Sequence, residues 1–172
     1  MSSDENCDVA HGAAAATTQT RTLVTVFASP VADYLIKFGN DLGFRTILVE
    51  PERGRISNDV DDAATTVLTA LPADLDDTAD IVVTDHHRVE LGELLRDALE
   101  QPVRWIGLMG NPRHPGPHIT ALRELGVSAV DIDRVHRPIG LNIGSKTPPE
   151  IAIATLAGLL ADRNDRKGGF DF

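Results

Sequence analysis

From residue 22 onward, short apolar runs alternate along the chain with longer segments of helical periodicity. The apolar runs, which predict buried strands, lie at 22–27, 44–50, 64–70, 80–85 and 103–110. The segments that predict helices lie at 31–43, 89–99, 119–125 and 148–162. Strands that alternate with helices in this way predict an α/β fold, a Rossmann-like parallel sheet with helices on both faces.

The last predicted helix has a well-marked beginning. Thr147 is placed as its N-cap, Pro148 takes the first helical position, and Glu150 can bond back to the cap amide. Free amides at a helix start attract phosphate or carboxylate, and Lys146 adds a cation beside them. One interpretation is an anion site at Gly144, Lys146 and Thr147, and the other is a well-capped structural helix. The glycine spacing differs from the phosphate loop of nucleotide hydrolases, so ATP hydrolysis is not predicted.

Sheets of this kind bind ligands beyond the carboxyl ends of their strands, which directs attention to the loops there. After the first strand, Ala28 and Ser29 stand where a dinucleotide-binding domain carries glycines, which argues against ordinary NAD binding. Ser29 can still cap the next helix and leave a weaker anion site. Glu50 ends the second strand, where an acid can accept ribose hydroxyls, but without the glycines a solvated strand end is the favoured interpretation. Arg53 and Arg55 either contact a phosphate or are ordinary loop arginines.

A second group of polar residues follows the fourth and fifth strands. Asp85, His86 and His87 suggest a metal site or acid–base chemistry. Adjacent histidines usually point in different directions and no third ligand follows at helical spacing, so no metal site is predicted. After the fifth strand, Gly110 and Arg113 belong to a turn that suits an anion held by backbone amides and one cation. A plain Gly/Pro-rich loop explains that turn equally well.

Composition limits the possible classes of protein. With 172 residues, of which 42% are hydrophobic, the chain suffices for one compact domain, which we place at 21–163 between a mobile tail at 1–20 and a C-terminal tail at 164–172. The net charge of -10 argues against nucleic-acid binding. Cys7 is the single cysteine and is interpreted as an unpaired thiol. No apolar run approaches the length of a membrane span, and the N-terminus lacks a basic secretory start, so we expect a soluble cytoplasmic protein without a membrane partner.

The last predicted helix is apolar nearly all round, through residues such as Ile151, Leu156 and Leu160. Such a helix must be covered on several sides. Homodimerisation and burial between the sheet and the tail both explain it.

Several segments together resemble the Rossmann-like domain of the XdhC/CoxI family over most of 22–162. They are FGNDLGFRTILVEPER, DIVVTDHH, WIGLMGNPR, LRELGV and, most specifically, PIGLNIGSKTPPEIAIATLAGLLA. That family is associated with maturation of molybdenum hydroxylases such as xanthine dehydrogenase and carbon monoxide dehydrogenase. The resemblance implies an accessory protein that binds the molybdenum cofactor, a pterin, and hands it to a molybdenum hydroxylase apoenzyme, rather than an enzyme.

Two alternatives remain open. One is an NAD(P)-binding enzyme, with Glu50 or Arg53 at the ribose and His86 or His87 for proton transfer. The other is a degenerate scaffold that binds only protein.

The family's loop motifs map onto this chain with departures. By position, its GxGH-type first loop falls on 28–30, its His/Asp-containing fourth-strand end on 85–87, and its GSRRK-type loop on 110–114, and all three differ from the family pattern. Longer members also carry a separate N-terminal segment with a cysteine implicated in cofactor handling, which this chain is expected to lack. The positions that match the pattern well are Gly140, Gly144, Thr147, Pro148 and Glu150.

Overall fold

The computed structural model describes residues 20–56, 65–111 and 113–169. Cys7, the predicted N-terminal tail up to residue 19, and Pro112 lie outside these ranges. The strands are β1 (Arg21–Val26), β2 (Phe44–Val49), β3 (Thr65–Leu68), β4 (Ala79–Val83), β5 (Trp105–Leu108) and β6 (Val135–His136). The helices are α1 (Pro30–Asp41), α2 (Leu91–Leu99), α3 (Pro117–Glu124), α4 (Ala129–Ile132) and α5 (Pro148–Arg163), with a short 3-10 helix at Arg53–Arg55.

The six strands form one parallel sheet in the order β3-β2-β1-β4-β5-β6. This order confirms the predicted Rossmann-like architecture. The direction of winding reverses between β1 and β4, so the carboxyl ends of these two strands mark the switch point at which such sheets bind ligands. The register places Val26 level with both Val49 and Val83, so the loops after β1, β2 and β4 begin side by side.

Helices cover both faces of the sheet. Successive residues of a strand point to opposite faces, so each strand contributes side chains to two cores. Val24 packs into a core with α2 and α3, whereas its neighbour Leu23 packs into a core with α1 and α5. Leu156 and Leu159 of α5 are buried in the second core, while Ile153 remains 52% exposed. Much of the apolar surface of α5 is therefore covered within the chain.

Helix α5 runs antiparallel to the strands, which brings its beginning to the carboxyl edge of the sheet. Its last residue, Arg163, bonds through Nε to the buried carboxylate of Asp80 near the start of β4, at 2.6 Å. Arg104 Nε bonds to the other oxygen of Asp80 at 2.6 Å. Burial raises the pKa of Asp80, and the two arginines oppose that rise. The amino edge of the sheet is thus closed by ion pairs.

The sequence pattern missed β6 and α4. β6 has two residues and α4 has four, so neither repeats an apolar position often enough to show a period. β6 is formed by pairing with β5, and His136 stacks on Trp105 with ring centroids 5.3 Å apart. Among the helices of the described residues, none is long and apolar enough to cross a bilayer.

Candidate functional site

The loops after β1 and β4 are bonded to each other at the switch point. Ser29 Oγ caps α1 by accepting the amide of Ala32 at 3.1 Å, as predicted. The same hydroxyl donates to Thr84 Oγ1 at 3.0 Å, and Thr84 Oγ1 in turn donates to the carbonyl of Phe27 at 2.8 Å. These bonds join the two loops that flank the dinucleotide in a dinucleotide-binding domain.

The tight turn after β1 is made without glycine. Phe27 has a φ of 71°, in the left-handed region, where a side chain costs roughly 1–2 kcal/mol. Its ring is fully buried in the core and lies 4.5 Å from the guanidinium carbon of Arg88. The turn directs the next amide, that of Ala28, toward Glu50 Oε2 at 2.9 Å.

Glu50 is a buried ion-pair partner, so the prediction of a solvated strand end was wrong. Arg88 binds its two oxygens in a fork, Nη1 to Oε2 at 3.0 Å and Nη2 to Oε1 at 2.8 Å. The amides of Ala28 and Glu52 complete the shell, and the Glu50 side chain is 0% exposed. Burial would raise the pKa of Glu50, but the hydrogen bonds from Arg88 and the two amides outweigh it and lower the pKa.

Because the carboxylate of Glu50 is bonded within the protein, it and the first loop have fewer groups available to bind a ligand. Every oxygen of Glu50 is engaged by the protein, so in this conformation it offers none to a ribose. The amide of Ala28, which would face a pyrophosphate in a dinucleotide-binding domain, is also taken. Sequence reasoning missed Arg88 because it stands 38 residues from Glu50, and the sheet order alone brings them together.

The beginning of α5 is occupied in a similar way. The predicted capping box is present, and Glu150 Oε2 accepts the amides of Lys146 at 2.8 Å and Thr147 at 3.1 Å. These bonds lower the pKa of Glu150, so a carboxylate stands where the ligand anion was predicted. Gly144 has a φ of 70° and open space around it. The geometry is that of a well-capped helix, and ligand binding by Gly144, Lys146 and Thr147 stays a prediction.

An open cleft of about 440 Å³ lies beside the switch point, between the loops after β4, β5 and β6. Small-molecule sites commonly have volumes of about 300–1,000 Å³. The predicted residue His86 lines the cleft, and its ring centroid lies 4.0 Å from that of His87. Asp85 supports this turn by accepting the amide of His87 at 2.9 Å. The lining residues are His86, His87, Asn111, His114, Pro115, Pro117 and Arg137.

Arg137, directly after β6, is a cleft residue that sequence reasoning missed. Its Nη1 donates to the carbonyl of His114 at 3.0 Å, and its Nη2 donates to the carbonyl of Asn111 at 2.9 Å. Because β6 carries no apolar run, the pattern of apolar residues does not indicate that this arginine lies at the carboxyl edge. A basic residue beside the proline that opens the most family-like segment was the one available signal.

The other predicted cations lie elsewhere. Arg113 belongs to the same loop, where its amide donates to Asn111 Oδ1 at 2.9 Å, but its side chain is not among those that line the cleft. Arg53 lies on the short 3-10 helix after β2 and is exposed. Gly110 is not among the residues that line the cleft, but a methyl group added there would meet the guanidinium of Arg137.

Two histidines near Arg137, His86 and His118, have lowered pKa values. Burial lowers the pKa of His86, and the neighbouring His87 and Arg137 lower it further. Behind the cleft, His118 is 5% exposed, and burial and Arg137 lower its pKa as well. Neutral imidazoles can donate and accept hydrogen bonds. Among residues 20–56, 65–111 and 113–169, no three His, Cys, Asp or Glu side chains come together in a way that could hold a metal ion.

Comparison with known proteins agrees with this architecture. The family model of the XdhC Rossmann domain matches residues 23–159. YqeB of Escherichia coli K12, which is described as uncharacterised, is 44% identical over 77 residues, or 45% of this chain and 14% of YqeB. A crystal structure described as a xanthine dehydrogenase from Bacillus halodurans superimposes with a TM-score of 0.69 at 23% identity, over 87% of this chain and 46% of that one.

These matches cover less than half of each longer protein, and at 23% identity the structural likeness shows the fold alone. The family match, by contrast, extends over most of the chain and includes all or part of every strand of the sheet. The chain therefore belongs to the family of XdhC Rossmann domains.

Proposed function

We propose that this protein is an accessory factor in the maturation of a molybdenum hydroxylase of the xanthine or carbon monoxide dehydrogenase type. In this role it binds the molybdenum cofactor in the cleft at the carboxyl edge of the sheet and passes it to the apoenzyme. Membership of the XdhC family supports the link to molybdenum hydroxylases. The single observation that carries the binding role is the open cleft with Arg137 on its wall.

The lining of the cleft suits a planar heterocycle that carries a phosphate. The imidazoles of His86 and His87 and the rings of Pro115 and Pro117 offer flat surfaces, and Arg137 offers a positive charge. A pterin with a terminal phosphate has this combination of a flat ring and an anion. The cofactor would supply the molybdenum chemistry of the recipient enzyme, whereas this chain would hold and orient it.

NAD(P) suits the molecule less well. A dinucleotide in the usual position needs the amides of the first loop and an acid at the end of β2. Here the amide of Ala28 donates to Glu50 Oε2, and Arg88 donates to both oxygens of the same carboxylate. An NAD(P)-dependent enzyme is therefore kept as an outcome of the binding experiment.

The apoenzyme partner and a homodimer are further parts of the proposal. A groove of about 320 Å³ between α1 and α5 is lined mainly by apolar residues, including the half-exposed Ile153. Measuring the molar mass in solution by light scattering tests the homodimer, and a monomer at micromolar concentration would remove it.

Calorimetric titration of the purified protein with the pterin cofactor, its cytidine dinucleotide form and NAD(P) tests the ligand. We expect micromolar binding of a pterin form, weakened by His114→Ala and unchanged by Arg53→Ala, which removes an exposed cation outside the cleft. Lys146→Ala belongs in the same series, because it tests whether the start of α5 adds a second anion contact. Binding of NAD(P) alone would favour the enzyme, and no binding of any ligand would favour a protein-binding scaffold.

A further inference from the structure

We infer that Arg137 is the residue that binds the anionic group of the ligand, and that the loop after β5 fixes its guanidinium for this task. The inference rests on the proposed function only for the identity of the ligand. The chemistry that it names is a phosphate, whether attached to a pterin or free.

Two hydrogen bonds hold the guanidinium of Arg137 in a defined orientation. The guanidinium has five N–H donors, of which one on Nη1 bonds to His114 and one on Nη2 bonds to Asn111. Nε is buried and has no hydrogen-bond partner among the described residues. Each terminal nitrogen therefore keeps one further N–H, and both can donate to oxygens of a phosphate.

The positive charge of Arg137 has no counterion among the described residues. Arg137 bonds to two neutral carbonyls, and in the described part of the chain no carboxylate lies within ion-pair distance of it. Other arginines at the edges of the sheet are neutralised, as Arg88 is by Glu50 and Arg163 by Asp80. A cation that is held in place without a counterion is prepared for an incoming anion, because little ordering remains to be done on binding.

Gly110 leaves room for the guanidinium of Arg137. A methyl group added there would lie 2.5 Å from Arg137 Nε and 2.6 Å from Nη2. The φ of Gly110 is not in the left-handed region, so alanine does not strain the backbone there, and the three atoms nearest to the added methyl group all belong to the guanidinium. Gly110→Ala therefore displaces Arg137 without changing any charge. Gly54→Ala is a matched control, because a methyl group at Gly54 meets nothing within 4 Å.

The histidines support this assignment. The positive charge of Arg137 contributes to the lowered pKa of both His86 and His118. Lowered pKa values favour the neutral form of these two imidazoles, and Arg137 is the arginine in the cleft lining that can meet the charge of an anion.

The test is a titration of the ¹⁵N-labelled full chain with inorganic phosphate, followed by NMR through the arginine Nε–H signals and the backbone amides. We expect phosphate to shift the signals of Arg137, Asn111 and His114. Arg137→Gln should weaken phosphate binding about tenfold or more, since a hydrogen-bonded charge is lost. Arg137→Lys should weaken phosphate binding several-fold, because the ammonium of lysine does not reproduce the planar set of N–H donors of a guanidinium.

The glycine variants separate a displaced guanidinium from a general loss of structure. Gly110→Ala should weaken phosphate binding nearly as much as Arg137→Gln, and the double variant should bind no worse than either single one. Gly54→Ala should bind as the unmodified protein does. Thermal unfolding by circular dichroism establishes that each variant is folded, and if Arg137→Gln is not, the Gly110→Ala result decides.

The inference is overturned if phosphate does not bind the unmodified chain, or if phosphate binds Arg137→Gln and Gly110→Ala as tightly as it binds the unmodified chain. Its failure is distinguishable from that of the proposed function. Pterin binding that survives Arg137→Gln removes the inference and leaves the function in place. Phosphate binding at Arg137 without any pterin binding supports the inference and removes the function.

Discussion

Replacing Arg88 with methionine should destabilise the fold strongly, because it leaves the carboxylate of Glu50 buried without a counterion. The Glu50 side chain is 0% exposed and that of Arg88 is 6% exposed, so water cannot take the place of the guanidinium. Arg88→Met also removes the contact with the ring of Phe27 and a bond of 3.2 Å to Glu90. The Glu50 carboxylate would keep only the amides of Ala28 and Glu52.

The expected magnitude follows from the burial of the pair. Removing one partner of a buried ion pair costs about 3–5 kcal/mol. For a domain of this size, that loss corresponds to a fall in Tm of roughly 6–20 °C. Arg96→Met is the matched control, since it removes the same charge from an exposed pair with Asp97 and should leave stability nearly unchanged.

The pH dependence gives the prediction its sharpest form. In the unmodified protein the pKa of Glu50 is lowered, so its contribution to stability is present above its ordinary pKa and is lost as the pH falls through the folded value. Without Arg88, burial raises the pKa of Glu50, and acidification then protonates and relieves the buried charge. The stability deficit of Arg88→Met should therefore be largest near neutral pH and narrow toward a pH of about 4.

The assay is chemical denaturation of both proteins at several pH values, with Arg96→Met in parallel. A deficit that stays constant between neutral and acidic pH would refute the reasoning. So would a loss as small as that of Arg96→Met, because it would mean that Glu50 is not held as a buried anion.

Further predictions concern a close backbone approach and a buried histidine. Gly140→Ala should destabilise by at least about 1 kcal/mol more than Gly144→Ala in denaturant unfolding, because both have positive φ but only at Gly140 does the methyl group meet backbone, that of Ala154 at 3.0 Å. A Gly144→Ala loss of the same size would contradict this. The lowered pKa of His118 means that folding keeps it neutral, so stability should be lost as the pH falls below the ordinary histidine value of about 6.5, by at most about 1.4 kcal/mol per pH unit. The charged residues that line the same small pocket as His118 are Arg137 and Asp133. His118→Gln should flatten the pH dependence of stability. An unchanged slope between neutral pH and about 5.5 would show that another group takes up the proton.

The sequence by itself determined the features that depend on residues close together in the chain. Apolar periodicity gave five of the six strands, and the caps at Ser29 and Thr147 gave the starts of α1 and α5, because each relies on neighbours within one helical turn or strand. The same local patterns carried the resemblance to the XdhC family. The parallel topology that they imply also indicated the carboxyl edge of the sheet as the location of the candidate site.

The tertiary structure alone decided which polar groups remain free at that edge. Glu50 and Arg88 meet across 38 residues of sequence, so neither oxygen of the Glu50 carboxylate is free for a ribose in this conformation. Arg137 reaches the cleft through a two-residue strand that has no periodicity to recognise. Long-range pairing of charges depends on strand order and loop conformation rather than on the residues beside each partner, and for this reason the sequence could indicate the edge but not the residues that line its open cleft.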